Sequence, residues 1–306
     1  MNKFLISIVG PTGIGKTALS LKLASHFDTE IISADSRQFY KEIPIGTAAP
    51  SSAELNSSRH HFIHHKSIKD GYSVGAFEKD AIAQLELLHS SKSIVVMVGG
   101  SGLYVNAVIK GFDEFPAIAT EIREQLNSEL ESKGLKVLQQ ELKRLDPKSY
   151  ETIALQNPHR VIRALEICKG TGQPYSSFLN KQKTERTFKT ISIGLKAERS
   201  LIYERINSRV DQMIENGLLE EARAVYKYRQ FNALNTVGYK ELFTYFDELC
   251  TLDFAISEIK KNSRRFAKRQ MTWFRGMEKR GHHIVWVDVN EPMKQRVDRV
   301  VGLLLK

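Results

Sequence analysis

The stretch Gly10-Pro11-Thr12-Gly13-Ile14-Gly15-Lys16-Thr17 constrains this chain more than any other. It follows the apolar run Phe4-Leu5-Ile6-Ser7-Ile8-Val9 and opens the apolar-periodic run Ala18-Leu19-Ser20-Leu21-Lys22-Leu23-Ala24. The order is strand, glycine loop, helix, and the spacing G-x-x-x-x-G-K-T is that of a P-loop. Glycines let several backbone N–H groups turn toward one anion, and the helix N-terminus adds the positive end of its dipole. Lys16 brings a mobile positive charge for a phosphate. The Thr17 hydroxyl is placed to ligate Mg²⁺. A di- or triphosphate site follows, in a P-loop NTPase-like α/β fold with a parallel sheet and helices on both faces. The loop physics does not say whether the ligand is a nucleotide such as ATP or another diphosphate.

Further strands agree with a buried parallel sheet. Glu30-Ile31-Ile32-Ser33-Ala34 reads as a second strand and ends in Asp35-Ser36-Arg37-Gln38. Ligands of open α/β sheets bind beyond the carboxyl ends of strands. Asp35 is therefore either a functional carboxylate or a turn-forming Asp, which such positions also favour. Ile94-Val95-Val96-Met97-Val98 is a continuous apolar run of the buried parallel kind. It leads into a second glycine-rich turn, Gly99-Gly100-Ser101-Gly102, expected beside the first. Ile191–Leu195 and Ile284–Val287 read as the remaining strands. Residues 44–75 read as a loop. Within it His60, His61, His64 and His65 lack the Cys or carboxylate spacing of a zinc site. They are expected as a polar loop near the phosphate site or part of its wall.

From Phe112 to residue 189 the pattern is helical, punctuated by Pro116, Pro147, Pro158 and Pro174. This predicts an all-helical insertion, residues 112–189, in a core of residues 1–111 and 190–306. Arg160 and Arg163 lie three apart and share a helix face there, which by itself is also how a solvated charged face looks. A long helix is expected over about Ser200 to Asn216, with Arg205 and Arg209 on one face and Gly217 as its end. Thr236 to Lys240 form a polar turn before another helix.

Charge separates function classes. The 306 residues carry a net charge of +10, and residues 260–280 hold nine Lys or Arg against the single acid Glu278. Phe266, Trp273 and Phe274 interleave with them. Such a helix can lie on a phosphate backbone, or pack its aromatics inward while its charges face water. Two distant cysteines, Cys168 and Cys250, suit no metal or redox motif and fit a reducing compartment. No apolar run reaches transmembrane length, so a cytoplasmic protein with no membrane partner is expected; a monomer is expected as well.

Taken in order, the motifs resemble one family. Gly-Pro-Thr-x-x-Gly-Lys-Thr at 10–17, Ile-Ser-x-Asp-Ser-x-Gln at 32–38, Ile-Gly-Thr-Ala at 45–48 and Val-Gly-Gly-x-Gly-Leu-Tyr at 98–104 come first. Asn-Pro-x-Arg-Val-Ile-Arg-Ala-Leu-Glu at 157–166, Arg-Val-x-x-Met at 209–213, Val-Gly-Tyr-Lys-Glu at 237–241 and Ala-Lys-Arg-Gln-x-Thr-Trp-Phe-Arg at 267–275 follow. Together the chain resembles the tRNA dimethylallyltransferases, also called tRNA isopentenyltransferases. The resemblance implies transfer of a five-carbon group from dimethylallyl diphosphate to N6 of adenine 37, beside the tRNA anticodon, with Mg²⁺ as cofactor. The diphosphate-holding segment would be Gly10, Pro11, Thr12, Gly13, Ile14, Gly15, Lys16 and Thr17, with Thr17 at the metal.

By the same resemblance Asp35 is the general base, and Thr12, Lys16 and Arg209 stabilise the leaving diphosphate. Contacts to tRNA would come from Asp35, Ser36, Arg37, Gln38, Ser101 and Arg123. They would come also from His159, Arg160, Val161, Ile162 and Arg163, and from Asn235, Thr236, Val237, Gly238, Tyr239 and Lys240. Ser101 stands where the family usually has Thr, and His64 where an Asp is common. Related possibilities are an adenylate isopentenyltransferase acting on a free nucleotide, a small-molecule P-loop kinase and a nucleotide-dependent RNA-binding protein. The helical insertion and the basic helix argue against the first, since a free nucleotide needs neither.

Overall fold

The computed structural model describes residues 2–113, 115–179 and 185–304. The elements run β1 (Phe4–Val9), α1 (Lys16–His26), β2 (Ile31–Ser33), α2 (Ser52–Ser57), β3 (His60–His61), α3 (Val74–Leu88), β4 (Ile94–Gly99) and α4 (Gly102–Lys110). Next come α5 (Thr120–Lys133), α6 (Leu135–Leu145), α7 (Pro147–Thr152) and α8 (Pro158–Thr171). Then follow β5 (Lys189–Lys196), α9 (Arg199–Glu215), α10 (Leu218–Val225), α11 (Tyr239–Phe246), α12 (Leu252–Lys279), β6 (Ile284–Asp288) and α13 (Met293–Leu304).

The strands form one parallel sheet in the order β3-β2-β4-β1-β5-β6. Alternation along β1 explains the layers. Leu5 and Val9 enter one apolar cluster with α3, α4, α10 and α11, while Ile6 and Ile8 enter another with α1, α9 and α13. The sheet is therefore buried on both faces, which its near-continuous apolar strands require. β1 lies at its centre, and the loops after β1, β2 and β4 share one edge, the place where such sheets bind ligands.

Two compact units result: residues 1–109 with 186–306, and residues 110–185. The second is narrower than the expected 112–189 at its C-terminal side, because residues 186–189 belong with the sheet. Arg186 shows why. Its Nη2 donates to Ala107 O at 2.7 Å and pairs with Glu78 Oε1 at 2.6 Å. The inserted unit builds its own core from Leu126, Leu138, Leu142, Val161, Ile162 and Leu165. Cys168 and Cys250 fall in different units as free thiols. Among the described residues no helix is long and apolar enough to cross a membrane.

The loop expected over 44–75 needs correction, since it contains α2 and the edge strand β3. Ser51 and Glu54 form a reciprocal capping box that starts α2, a pattern visible in the sequence. β3 has two residues, too few for any periodicity. It is fixed by Ile31 N–H donating to Arg59 O at 2.9 Å and by His61 Nε2 on Glu30 Oε2 at 2.5 Å. The histidines do not border the cavity described below. His65 packs edge-on against Phe39, Phe62 and Tyr72, and burial lowers its pKa to about 4.

Candidate active site

One large cavity of about 520 Å³ opens at the strand ends of the core unit. Thr12, Asp35, Ser36, Arg37, Ser101 and Arg209 line its polar side, together with residues 235–238 and Lys240. Ile206, Val210, Met213, Val237, Ile259 and Phe266 supply an apolar side.

The P-loop is shaped as the sequence requires. Gly13 and Gly15 have φ of 79° and 97°, a left-handed backbone that a side chain disfavours. Of the octet, Thr12 alone borders the cavity. Lys16 is folded back on the loop, with Nζ donating to Pro11 O at 2.9 Å. Burial lowers its pKa to about 8; Asp35 acts to raise it and Arg209 to lower it further. Burial likewise pulls Arg209 below its ordinary value, with Glu54 and Asp35 opposing. Arg209 Nη1 approaches Thr12 Oγ1 at 3.5 Å, so both sit on one wall. These cations gather without a matching excess of carboxylates, which is the electrostatics of an anion site.

Asp35 ends β2 and uses one oxygen in a turn, Oδ1 accepting Arg37 N–H at 3.1 Å. No hydrogen bond engages its Oδ2 among the described residues. The turn-forming and the functional readings of Asp35 thus hold together. Ser101 ties the second glycine turn to this segment: its Oγ accepts Ser36 N–H at 3.0 Å and donates to Ser36 Oγ at 3.1 Å. Arg37 is committed within the protein. Its guanidinium donates to Asn232 O at 2.8 Å, Ala233 O at 3.1 Å and Asn235 O at 3.4 Å, and so shapes the stretch that includes Asn235. Gln38 lies behind the cavity wall, its Nε2 donating to Ala48 O at 2.9 Å and Thr47 O at 3.3 Å.

Several expected contacts change role. Tyr239 is fully buried, with its hydroxyl donating to Glu221 Oε1 at 2.6 Å, so its side chain cannot touch tRNA. Val161 and Ile162 are 0% and 2% exposed and form the core of the inserted unit. Their place in the motif reflects helix packing on the face opposite the charges. On that helix, α8, His159 and Arg160 are exposed. Arg163 Nη1 and Arg123 Nη1 both rest on Glu166 Oε2, at 3.0 and 3.2 Å, and Arg163 also stacks over Phe115. Asn157 caps the helix, Oδ1 accepting His159 N–H at 3.1 Å.

Gln270 lies in the motif at 267–275, and its role shows only in the fold. It is 6% exposed on α12, accepts Thr12 N–H on Oε1 at 2.8 Å and donates from Nε2 to Gly100 O at 3.0 Å. It thus joins the two glycine loops. Its signal was positional: the buried stripe Ala255, Ile259, Ala267, Gln270, Phe274, Met277 is apolar at helical spacing except here.

Metal chemistry fits the donor set. Among the described residues no three His, Cys, Asp or Glu side chains gather into a cage. Mg²⁺ needs none, since it keeps several waters and leans on substrate phosphates plus one or two protein oxygens. Thr17 in the first turn of α1 is an oxygen donor of that kind.

The IPP transferase family model matches residues 38–277. A tRNA dimethylallyltransferase of Christiangramia forsetii is 58% identical over 300 residues, covering 98% of both chains. One from Flavobacterium johnsoniae is 53% identical over 305 residues, covering 98% of this chain and 97% of that one. Among solved structures, the full-length tRNA isopentenylpyrophosphate transferase of Bacillus halodurans is 37% identical with a TM-score of 0.73, covering 100% of this chain and 96% of that one. A eukaryotic dimethylallyltransferase acting on tRNA is 28% identical with a TM-score of 0.79, covering 94% of this chain and 74% of that one. The strand order, the paired glycine loops and these likenesses lead to one conclusion: the chain belongs to the IPP transferase family, that of the tRNA dimethylallyltransferases.

Proposed function

We propose that this cavity transfers the dimethylallyl group of dimethylallyl diphosphate to N6 of adenine 37 in tRNA, releasing pyrophosphate. The observation that carries the reading is the meeting of Asp35 with Thr12 and Arg209 in one cavity that also has an apolar side. An anion-binding wall suits the diphosphate and an apolar wall suits five carbons. A carboxylate suits an amine that must lose a proton.

The C–O bond to the diphosphate breaks and a C–N6 bond forms. The N6 proton passes to Asp35. An exocyclic adenine amine is a poor nucleophile, so a positioned acceptor contributes to the rate. Lys16, Arg209 and the P-loop N–H groups offset the charge growing on the leaving diphosphate. Thr17 is the residue that would hold Mg²⁺, and the ion would supply further neutralisation of that charge. Adenine 37 must leave its stack to enter, at a cost of a few kcal/mol. Arg123, His159, Arg160 and Arg163 on the inserted unit are suited to grip the anticodon stem-loop against that cost. A tRNA acceptor fits a cytoplasmic enzyme.

The test is direct. The protein is mixed with labelled dimethylallyl diphosphate and either tRNA or AMP. Label in tRNA alone is expected. Label in AMP alone would overturn the reading in favour of free-nucleotide transfer.

A further inference from the structure

Glu221, on α10, performs no step in the mechanism above, yet it makes three hydrogen bonds beneath the cavity. Its Oε2 accepts Ile45 N–H at 2.8 Å, and its Oε1 accepts Gly46 N–H at 2.8 Å and the Tyr239 hydroxyl at 2.6 Å. Burial, then the charge of Glu221 and the hydrogen bond to it, raise the Tyr239 pKa, so the phenol stays a donor. Gly46 records the tightness of the fit. A Cβ there would lie 2.4 Å from Tyr239 Oη, closer than real contacts allow.

The same segment is held from its other side. Gln38 donates to the carbonyls of Thr47 and Ala48, and Thr47 Oγ1 donates to Ile43 O at 2.7 Å. Ala48 has φ of 49°, a left-handed conformation that a non-glycine residue keeps only where its surroundings impose it. Gly46, Thr47 and Ala48 line the cavity together with Asp35, Ser36 and Arg37. The Gly46 N–H of this wall is thus fixed by Glu221 of α10, itself held by Tyr239 of α11, and the Thr47 and Ala48 carbonyls by Gln38 of the segment that begins at Asp35.

We propose that Glu221, steadied by Tyr239, is a positioning residue for the acceptor side of the cavity. It holds the Gly46–Ala48 wall, and through Gln38 the Asp35 segment, in the register that receives the tRNA nucleoside. The inference rests on the reading of tRNA as acceptor. It predicts a division of effects: acceptor binding and transfer depend on Glu221, and diphosphate binding, centred on the P-loop wall, does not.

The experiment uses the full-length protein with Glu221→Gln and Tyr239→Phe. Dimethylallyl diphosphate affinity, KM for tRNA and the single-turnover rate are measured in each, alone and combined with Gln38→Ala. Glu221→Gln removes one of two acceptor oxygens from a charged hydrogen-bond set. Its kcat/KM for tRNA should fall roughly tenfold, and that of Tyr239→Phe roughly threefold. Diphosphate affinity should stay within about twofold. In the Gln38→Ala background Glu221→Gln should add less than about twofold, because both act on one wall. Tyr239→Phe keeps the ring that fills the core, so it carries the test if Glu221→Gln folds poorly. The proposal is overturned by wild-type kinetics in both variants. It is equally overturned by diphosphate affinity falling in step with transfer, or by effects that multiply in full with Gln38→Ala. Failure of the underlying reading shows elsewhere, in a wild-type protein that leaves tRNA unlabelled.

Discussion

The core unit and the inserted unit both carry clustered cations, and they hold them by opposite physics. Lys16 and Arg209 are desolvated, and burial pulls both toward neutrality. Arg160 is exposed and Arg163 is 40% exposed, propped by the carboxylate of Glu166. A desolvated cation is costly until its anion arrives, then interacts strongly and is screened little by salt. A surface arginine costs little and contributes through counterion release, which salt erodes. The first arrangement suits one small ligand at one point. The second suits a polymer held over many contacts.

The comparison is most exposed to failure at Asp35. Asp35→Asn keeps size and most hydrogen bonding but removes the proton acceptor. Single-turnover transfer at saturating substrates should fall on the order of 10²–10⁴, the usual contribution of a general base. Diphosphate affinity should hardly change. A near wild-type rate would leave Asp35 as the turn former it also is.

Lys16→Ala comes next. It should weaken diphosphate binding and transfer together by roughly 10–10², as expected for a lost charge-assisted hydrogen bond, and equally at low and high salt. Replacing Arg160 and Arg163 by Ala should reduce tRNA affinity and flatten its log–log salt dependence by about 1 per arginine, with diphosphate binding intact. If Lys16→Ala proves strongly salt-dependent and the arginine variants do not, the contrast between the units is wrong.

How much of this was legible in the sequence follows the same division. β1, the P-loop, Asp35 and the second glycine turn were readable because each couples a local pattern to a local geometry. Arg209 was placed by resemblance alone, since it meets Thr12 only through tertiary packing. Glu221, Tyr239 and Gln270 were unreadable as a set. Their partners lie far away in sequence, at Ile45–Gly46 for the first, at Ile43 and Glu221 for the second, and at Thr12 and Gly100 for the third. Val161 and Ile162 show the converse error: a motif read as a contact surface included the buried stripe that holds it up.

Two smaller effects concern pH. Lys16 titrates near pH 8 without ligand, and a bound diphosphate favours its charged form. Affinity should therefore be full below about pH 8 and decline as pH rises through it. Calorimetry in buffers of different ionisation enthalpy should show proton uptake on binding near that pH. Acid stability should also separate the units. Burial lowers the pKa of His60, His64, His65 and His89, all in the core unit. The unfolded chain binds more protons there, so stability is lost as pH falls below about 6.5 toward the lowered values. In the inserted unit, desolvation acts to raise the pKa of Asp146, but hydrogen bonds from Ser149 and Ser176 outweigh it and leave it lowered. That contribution is lost only as pH falls below the ordinary Asp value of 3.8. Trp273 and Trp286 both lie in the core unit, so tryptophan fluorescence should report the first loss on acidification.

The bond from Arg186 to Ala107 O has a consequence for ancestry. The core strands and helices close on each other at the point where the chain departs and comes back. Among the described residues, none of the strands of the sheet comes from residues 110–185. A lineage can lengthen, shorten or exchange that excursion without re-registering a single strand, so substrate range can evolve by swapping a cassette while the catalytic edge stays as it is.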